Sequence, residues 1–295
     1  MARVFVLGMA VMDVVFNVPE FPKLAEKYRA DDAVFVGGGC AANAAFAIAR
    51  LDGDAQLAAR LGDDHVGAMI LSDLAAVGVD VSHCHRAKGG KSSFSSVLVD
   101  AAGERQIVNF RGHGLVQTAG WIMPDAEAVL VDNRWADGAK VALAWAKRTG
   151  VPGVVDAEAP IEGETLEMAS YVAFSKQGLE DFSGHHDHRS ALYEASKMLP
   201  GRVCVTDGAK GCFWLEGGSM RHMPAFQVDV QDTLAAGDIW HGAFALRLAE
   251  KATMEDAIRF ANATAALKCM HFGGRAGCPD RKTVEAFIRE KQICN

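Results

Sequence analysis

Val230-Gln-Asp232-Thr-Leu-Ala235-Ala236-Gly237-Asp238-Ile-Trp-His-Gly242-Ala-Phe244 is the most informative stretch of the chain. Helical periodicity begins inside it, with Ile239, Ala243, Leu246 and Glu250 following one face. Small residues just ahead of a helix let main-chain N–H groups converge on one point, where unpaired amides and the helix dipole favour an anion. Asp238 falls in the first turn of that helix. It is either a simple dipole partner or a general base beside an anion cradle made by the amides of Ala235, Ala236 and Gly237. The second arrangement is what phosphoryl transfer to a hydroxyl needs.

Upstream, the apolar runs are short and alternate with helical segments. Residues 4–7, 55–61, 128–131, 154–156, 171–174 and 203–206 read as strands, and 41–51, 65–77, 138–147, 163–168 and 190–199 as helices. This pattern predicts an α/β fold with a central, mostly parallel sheet flanked by helices on both faces. Residues 27–36 and 92–110 instead alternate, the latter with a turn at Ala102-Gly103-Glu104, as hairpins do. A one-sided sheet of this kind suits a small β-sheet lid or dimer flap, formed by roughly 10–37 and 90–112. From Asp232 onward the chain reads as helical almost to its end. With no internal repeat and no Pro/Ser-rich linker, a single domain over residues 1–295 is expected.

The composition narrows the function classes. Of 295 residues, 50% are hydrophobic and 23% charged, which excludes a disordered or collagen-like chain. A chain of this length buries roughly 75% of its unfolded surface and needs no staples. Thirty Lys and Arg against 37 Asp and Glu give a net charge of −7, with no global footprint for nucleic acid. The seven cysteines (Cys40, Cys84, Cys204, Cys212, Cys269, Cys278, Cys294) lack paired spacing, which argues against a disulfide framework and a structural zinc. The apolar start is too short for a signal peptide and no run approaches a membrane span, so a cytoplasmic protein with no membrane partner is expected.

Asp232-Thr-Leu-Ala-Ala-Gly-Asp238 resembles the C-terminal signature of the ribokinase-like (PfkB) carbohydrate kinases. In that family the last Asp is the catalytic base and the preceding small residues form the anion hole. Positions 234 and 235 are often Thr and Gly there; here they are Leu and Ala. Gly37-Gly38-Gly39-Cys40-Ala41-Ala42-Asn43 is similar to the family's sugar-binding motif, which implies roles for Gly38, Gly39 and Asn43 at the sugar hydroxyls. Gly62-Asp63-Asp64-His65-Val66-Gly67 matches another family turn, and Asp13 the family's sugar-binding Asp. Val205-Thr206-Asp207-Gly208-Ala209-Lys210-Gly211 resembles the nucleotide loop, which implies that Thr206, Asp207, Gly208 and Gly211, with Asn262 downstream, hold ATP. Asp232 and residues 273–277 resemble a monovalent-cation site, implying a role for K+. The usual Asn-x-x-Glu is replaced by Ser175-Lys176-Gln177-Gly178, which leaves Mg2+ to water and the nucleotide phosphates. The resemblance further implies a homodimer joined through the lid.

One subgroup is the most similar, the 6-deoxy-6-sulfofructose kinases. It matches at Val11-Met12-Asp13, Glu26-Lys27-Tyr28, Val36-Gly37-Gly38-Gly39, Gly103-Glu104-Arg105, Arg134-Trp135-Ala136-Asp137-Gly138-Ala139-Lys140, Ala266-Leu267-Lys268-Cys269 and Gly273-Gly274-Arg275-Ala276-Gly277. That likeness implies that Lys27, Asn109 and Arg134 hold a sulfonate, whose three acceptor oxygens suit two cations and an amide. Structurally neutral readings stand beside it: Lys27 as an edge-strand gatekeeper, and Arg134 paired with Asp132 or Asp137. The implied reaction is transfer of the γ-phosphate of ATP to the C1 hydroxyl of 6-deoxy-6-sulfofructose, with Asp238 as base. The alternatives are a kinase for 2-keto-3-deoxygluconate, ribose, fructose or a nucleoside, and a catalytically silent sugar or nucleotide sensor. A dinucleotide-binding turn at residues 37–39 lacks its βαβ context. His185-His186-Asp187-His188 reads as a solvated loop between a strand and a helix, and Cys40 as a small packing residue.

Overall fold

The computed structural model describes residues 1–101, 104–161 and 163–293. Strand β1 (Arg3–Gly8) is followed by β2 (Val11–Asn17), β3 (Asp32–Gly38), α1 (Cys40–Arg50), β4 (Asp54–Gly62), α2 (His65–Ala76), β5 (His85–Ala87), β6 (Phe94–Val99) and β7 (Arg105–Phe110). Then come β8 (Ala128–Asp132), α3 (Ala136–Thr149), β9 (Gly153–Ala157), α4 (Gly163–Leu166), β10 (Tyr171–Ser175), α5 (Lys176–Ser183), α6 (His188–Met198) and β11 (Arg202–Thr206). A 3-10 turn at Gly208–Lys210 leads to β12 (Cys212–Glu216), β13 (Ser219–Met223), α7 (Ala236–Ala249), α8 (Met254–Cys269) and α9 (Arg281–Ile293).

The strands form a nine-stranded sheet, ordered β13-β12-β11-β10-β9-β8-β1-β4-β5, and a four-stranded sheet, ordered β3-β2-β6-β7. The large sheet is parallel from β11 to β5 and antiparallel at its β12–β13 edge. Alternate residues of β1 feed different cores: Val4 and Val6 belong to the one that holds α1, α7 and α8, whereas Phe5 and Leu7 belong to the one that holds α3 and α6. Both faces are covered, which is why these strands read as continuous apolar runs. Among the described residues no helix is long and apolar enough to cross a membrane.

Several expectations change in detail. The strand expected from residue 27 begins only at Asp32. The β12–β13 hairpin was not anticipated. Part of the expected turn at Ala102-Gly103-Glu104 lies outside the described residues. The His185–His188 segment joins two helices rather than a strand and a helix, because residues 176–183 form α5 behind a Ser175 cap whose Oγ accepts the Gly178 N–H at 3.0 Å.

Candidate active site

The carboxyl ends of the parallel strands and the inner edge of the small sheet meet at a cavity of about 150 Å³. Asp13, Gly38, Gly39, Asn43, Ala235, Asp238 and Arg275 line it. A larger cavity, of about 360 Å³, is lined by residues at the amino ends of β9 and β11, including Gly153 and Arg202. Ligands of open α/β sheets bind at the carboxyl ends, so the smaller cavity is the candidate site.

Ala235 stands ahead of α7 in the left-handed conformation, at φ 63°. The first helical bond is from Ile239 N–H to the Ala235 carbonyl, 3.0 Å. The amides of Ala235, Gly237 and Asp238 therefore precede the hydrogen-bonded helix, where a helix has no acceptors of its own to offer them. The Ala236 N–H, expected in the cradle, instead closes a turn on the Thr233 carbonyl at 3.2 Å.

The Asp238 carboxylate accepts a 2.7 Å hydrogen bond from Asn43 Nδ2, which joins α7 to α1. Burial and the nearby Asp156 carboxylate push the Asp238 carboxyl up to about 7, against the pull of Asn43 and His241. A base with a pKa near neutrality is well matched to accepting a proton from an alcohol. His241 lies with Nδ1 3.5 Å from Asp156, and burial lowers its pKa, which favours the uncharged ring. Cys40 Sγ and carboxylate oxygens of Asp156 and Asp238 lie within 4.8 Å of one another. Burial, reinforced by the surrounding carboxylates, holds the Cys40 thiol well above its usual range and so protonated.

Opposite Asp238, Asp13 on β2 pairs in register with Ser95 on β6, and Ser95 with Asn109 on β7. Residues in register on adjacent strands share a face, and here they are linked: Asn109 Nδ2 donates to Ser95 Oγ at 3.0 Å, and Ser95 bonds Asp13. Burial raises the Asp13 pKa, opposed by Ser95 and Arg275. The glycines before α1 make room for these groups. A Cβ on Gly38 would sit 2.4 Å from an Asp13 carboxylate oxygen, and one on Gly39, at φ 93°, 2.4 Å from the Met9 carbonyl.

Three site residues escaped the sequence reading. Arg275 is 3% exposed, ion-paired with Asp73, 3.5 Å from Asn43 Oδ1 and part of the cavity lining. Asp132 ends β8 and gathers the N–H groups of Met9 (2.7 Å), Ala41 (3.3 Å) and Arg134 (2.9 Å), which fixes where α1 begins. Asp156, on β9, is buried and one of its oxygens has no hydrogen-bond partner among the described residues. The available signal was a carboxylate closing each apolar strand, Ala128-Val-Leu-Val-Asp132 and Gly153-Val-Val-Asp156.

Other expected residues lie elsewhere. Lys27 is exposed in the segment between β2 and β3, and Arg134 pairs with Glu158 at 3.0 Å rather than with the Asp132 or Asp137 carboxylate. Neither they nor Asn109 line the cavity. Thr206 ends β11, and Asp207, Gly208 and Gly211 form the turn after it, where Asp207 contacts Lys210 at 3.0 Å and His188 at 3.2 Å. Gly211 is demanded by packing, since its Cβ would meet the Met223 carbonyl at 2.1 Å. Asn262, expected at the nucleotide, accepts from Trp240 Nε1 at 2.8 Å and donates to the Met223 and Pro224 carbonyls at 3.4 Å, so its amide braces β13 against α7. Asp232, expected to hold a monovalent cation, is bonded by the Lys268 ammonium. His186 lies 3.5 Å from Glu180 while His188 turns to Asp207, so the histidine run splits between partners.

A doubly covered parallel sheet, a small separate sheet over its carboxyl edge and a carboxylate heading a late helix define the class: a ribokinase-like α/β kinase. The chain belongs to the pfkB family of carbohydrate kinases, whose profile matches residues 1–281. It is 27% identical to the ribokinase of Bacillus subtilis (strain 168) over 304 aligned positions, covering 98% of this chain and 100% of that protein. The crystal structure of a candidate ribokinase from Agrobacterium tumefaciens superposes with a TM-score of 0.92 at 34% identity, covering 99% of each chain. The ribokinase of Thermotoga maritima superposes with a TM-score of 0.87 at 25% identity, covering 98% of this chain and 100% of its own. This chain is an ATP-dependent carbohydrate kinase.

Proposed function

We propose that the protein transfers the γ-phosphate of ATP to a sugar hydroxyl held between Asp13 and Asp238, with Asp238 as general base. The observation that carries this reading is the Asn43–Asp238 hydrogen bond of 2.7 Å inside a cavity shared with Asp13. It places a near-neutral carboxylate beside amides at a helix start and opposite a second carboxylate that can orient hydroxyls. Asp238 takes the hydroxyl proton, the alcohol oxygen attacks the γ-phosphorus as the bond to ADP breaks, and the amides of Ala235 and Gly237 receive the transferring charge. Thr206, Asp207, Gly208 and Gly211 border the nucleotide, with Asn262 positioning that wall from behind. Closure of the small sheet excludes water.

Asp156, one of whose oxygens has no partner among the described residues, and Glu158 would hold Mg2+, since residues 175–178 supply no carboxylate; the ion would supply neutralisation of phosphate charge. For the acceptor, we propose 6-deoxy-6-sulfofructose, phosphorylated at its C1 hydroxyl. Support comes from the subgroup stretches, which include Lys27 and Arg134, and from Asn109 tied to Asp13 through Ser95. Ribose is the second reading, favoured by the relatives that bear the name ribokinase and by a cavity that neither Lys27 nor Arg134 lines. A relative 28% identical is an ATP-dependent ribose-1-phosphate kinase from Halopiger xanaduensis, so an anion-bearing sugar has precedent in the family. A homodimer formed through the small sheet belongs to the same proposal.

A panel of sulfofructose, fructose, fructose 6-phosphate, ribose, ribose 1-phosphate and 2-keto-3-deoxygluconate, read by coupled ADP release, tests the acceptor. Sulfofructose is expected to give the highest kcat/KM, and Arg134→Ala to lower it by about tenfold or more while sparing neutral sugars. A kcat/KM for sulfofructose no better than for fructose sinks the sulfonate assignment.

A further inference from the structure

Lys268 on α8 is fully buried, with 0% of its surface exposed. A lysine is almost never found there unless its charge is matched. Its Nζ donates to the Asp232 main-chain carbonyl at 2.7 Å and lies 3.1 Å from Asp232 Oδ2. The same carboxylate accepts from the amides of Leu234 (2.8 Å), Gly273 (3.2 Å) and Gly274 (2.9 Å). Burial alone would raise the Asp232 pKa, but these amides and Lys268 outweigh it and hold the carboxyl below its usual range, so it stays anionic.

One ammonium and one carboxylate thus bind together two loops of the candidate site. Residues 232–235 lead into the left-handed Ala235 and the amides at the start of α7. Residues 273–275 deliver Arg275 to the cavity. A carboxylate oxygen and a main-chain carbonyl are ligands of the kind that hold a bare monovalent cation; here the cation they meet is covalently part of the chain. A buried pair of this kind adds little net stability relative to apolar packing, so its place directly behind the anion cradle is the feature that needs a function.

We propose that Lys268 is a positioning residue that serves as the resident monovalent cation of the phosphoryl-transfer site, so that transfer needs no inorganic potassium. The inference rests on the sugar-kinase reading above. The ammonium holds the backbone of residues 232–235 in the shape that presents its amides, and adds a fixed positive charge behind the point where phosphoryl charge develops.

The test compares ADP release by the full-length protein in tetramethylammonium buffer and in KCl buffer of equal ionic strength. Wild-type kcat is expected to differ by less than about twofold between them. Lys268→Ala opens a space beside a carboxylate and a carbonyl. It is expected to lose about 10²-fold in kcat with little change in sugar KM, and to regain about tenfold with K+ or NH4+ but not with tetramethylammonium. Its melting temperature should rise in K+ while that of the wild type does not. Stimulation of the wild type by K+ of about tenfold or more overturns the proposal, as does a Lys268→Ala variant with wild-type kcat or one that no small cation restores. Should Lys268→Ala fail to fold, the wild-type cation series decides alone. Turnover that appears only with K+ sinks this inference and leaves the kinase reading intact; absence of turnover with every sugar in both buffers sinks the kinase reading, and this inference with it.

Discussion

Asp238 is held in a state that favours its chemistry over stability. Its folded pKa of about 7 lies above the unfolded carboxylate range. The group therefore favours the folded state fully below pH about 4, and that contribution is lost as pH rises through about 7. Asp238→Asn is expected to lower kcat by about 10³-fold or more, yet to raise thermal stability at pH 8 by an amount on the order of a few kcal/mol. The gain should shrink towards zero near pH 4. Calorimetry across pH beside an activity assay checks both halves; wild-type turnover, or a variant less stable at pH 8, contradicts the assignment. In the wild type, kcat/KM should climb with pH and level off above about 7, as expected of a base that must be ionised.

The distance between α1 and α7 is set by one missing side chain. A Cβ on Gly242 would approach the Ala44 carbonyl oxygen to 2.5 Å and the Ala44 Cα to 3.0 Å. The two helices carry Asn43 and Asp238, so their spacing governs whether the Asn43–Asp238 hydrogen bond can form. Gly242→Val should cost about 1–3 kcal/mol by overpacking and lower kcat by about tenfold, with sugar KM rising less. Denaturant melts and steady-state kinetics measure these, and unchanged kcat in a folded variant would refute the coupling. The strands of the large sheet were legible as short continuous apolar runs, because both their faces are covered, and the helices by their 3.6 period. The β12–β13 hairpin was not, since β13, Ser219-Met-Arg-His-Met223, is too polar and too exposed to resemble a strand.

Across the whole molecule the two sheets divide the labour. Phe35, Phe94, Val108 and Phe110 are exposed and share the face of the small sheet opposite Asp13. An apolar face of this kind marks an interaction surface. Sedimentation should give a particle of twice the 31.4 kDa chain mass, and Phe35→Asp with Val108→Asp should return it to the single chain; a wild-type monomer at assay concentration removes the dimer from the proposal. The amino-acid sequence by itself determined the α/β class, most of the parallel strands and the small-residue turn from Asp232 to Asp238 ahead of α7, because local periodicity and small residues before a helix are short-range properties. Only the tertiary structure decided that Arg275 and Asp132 reach the candidate site, that Asp156 lies beside Asp238, that Asn262 contacts Trp240 and the Met223 and Pro224 carbonyls, and that the Lys268 ammonium sits on Asp232. Those pairings span as many as 232 positions, as between Asn43 and Arg275. They depend on which strand ends and loops converge, which no local pattern of residues encodes.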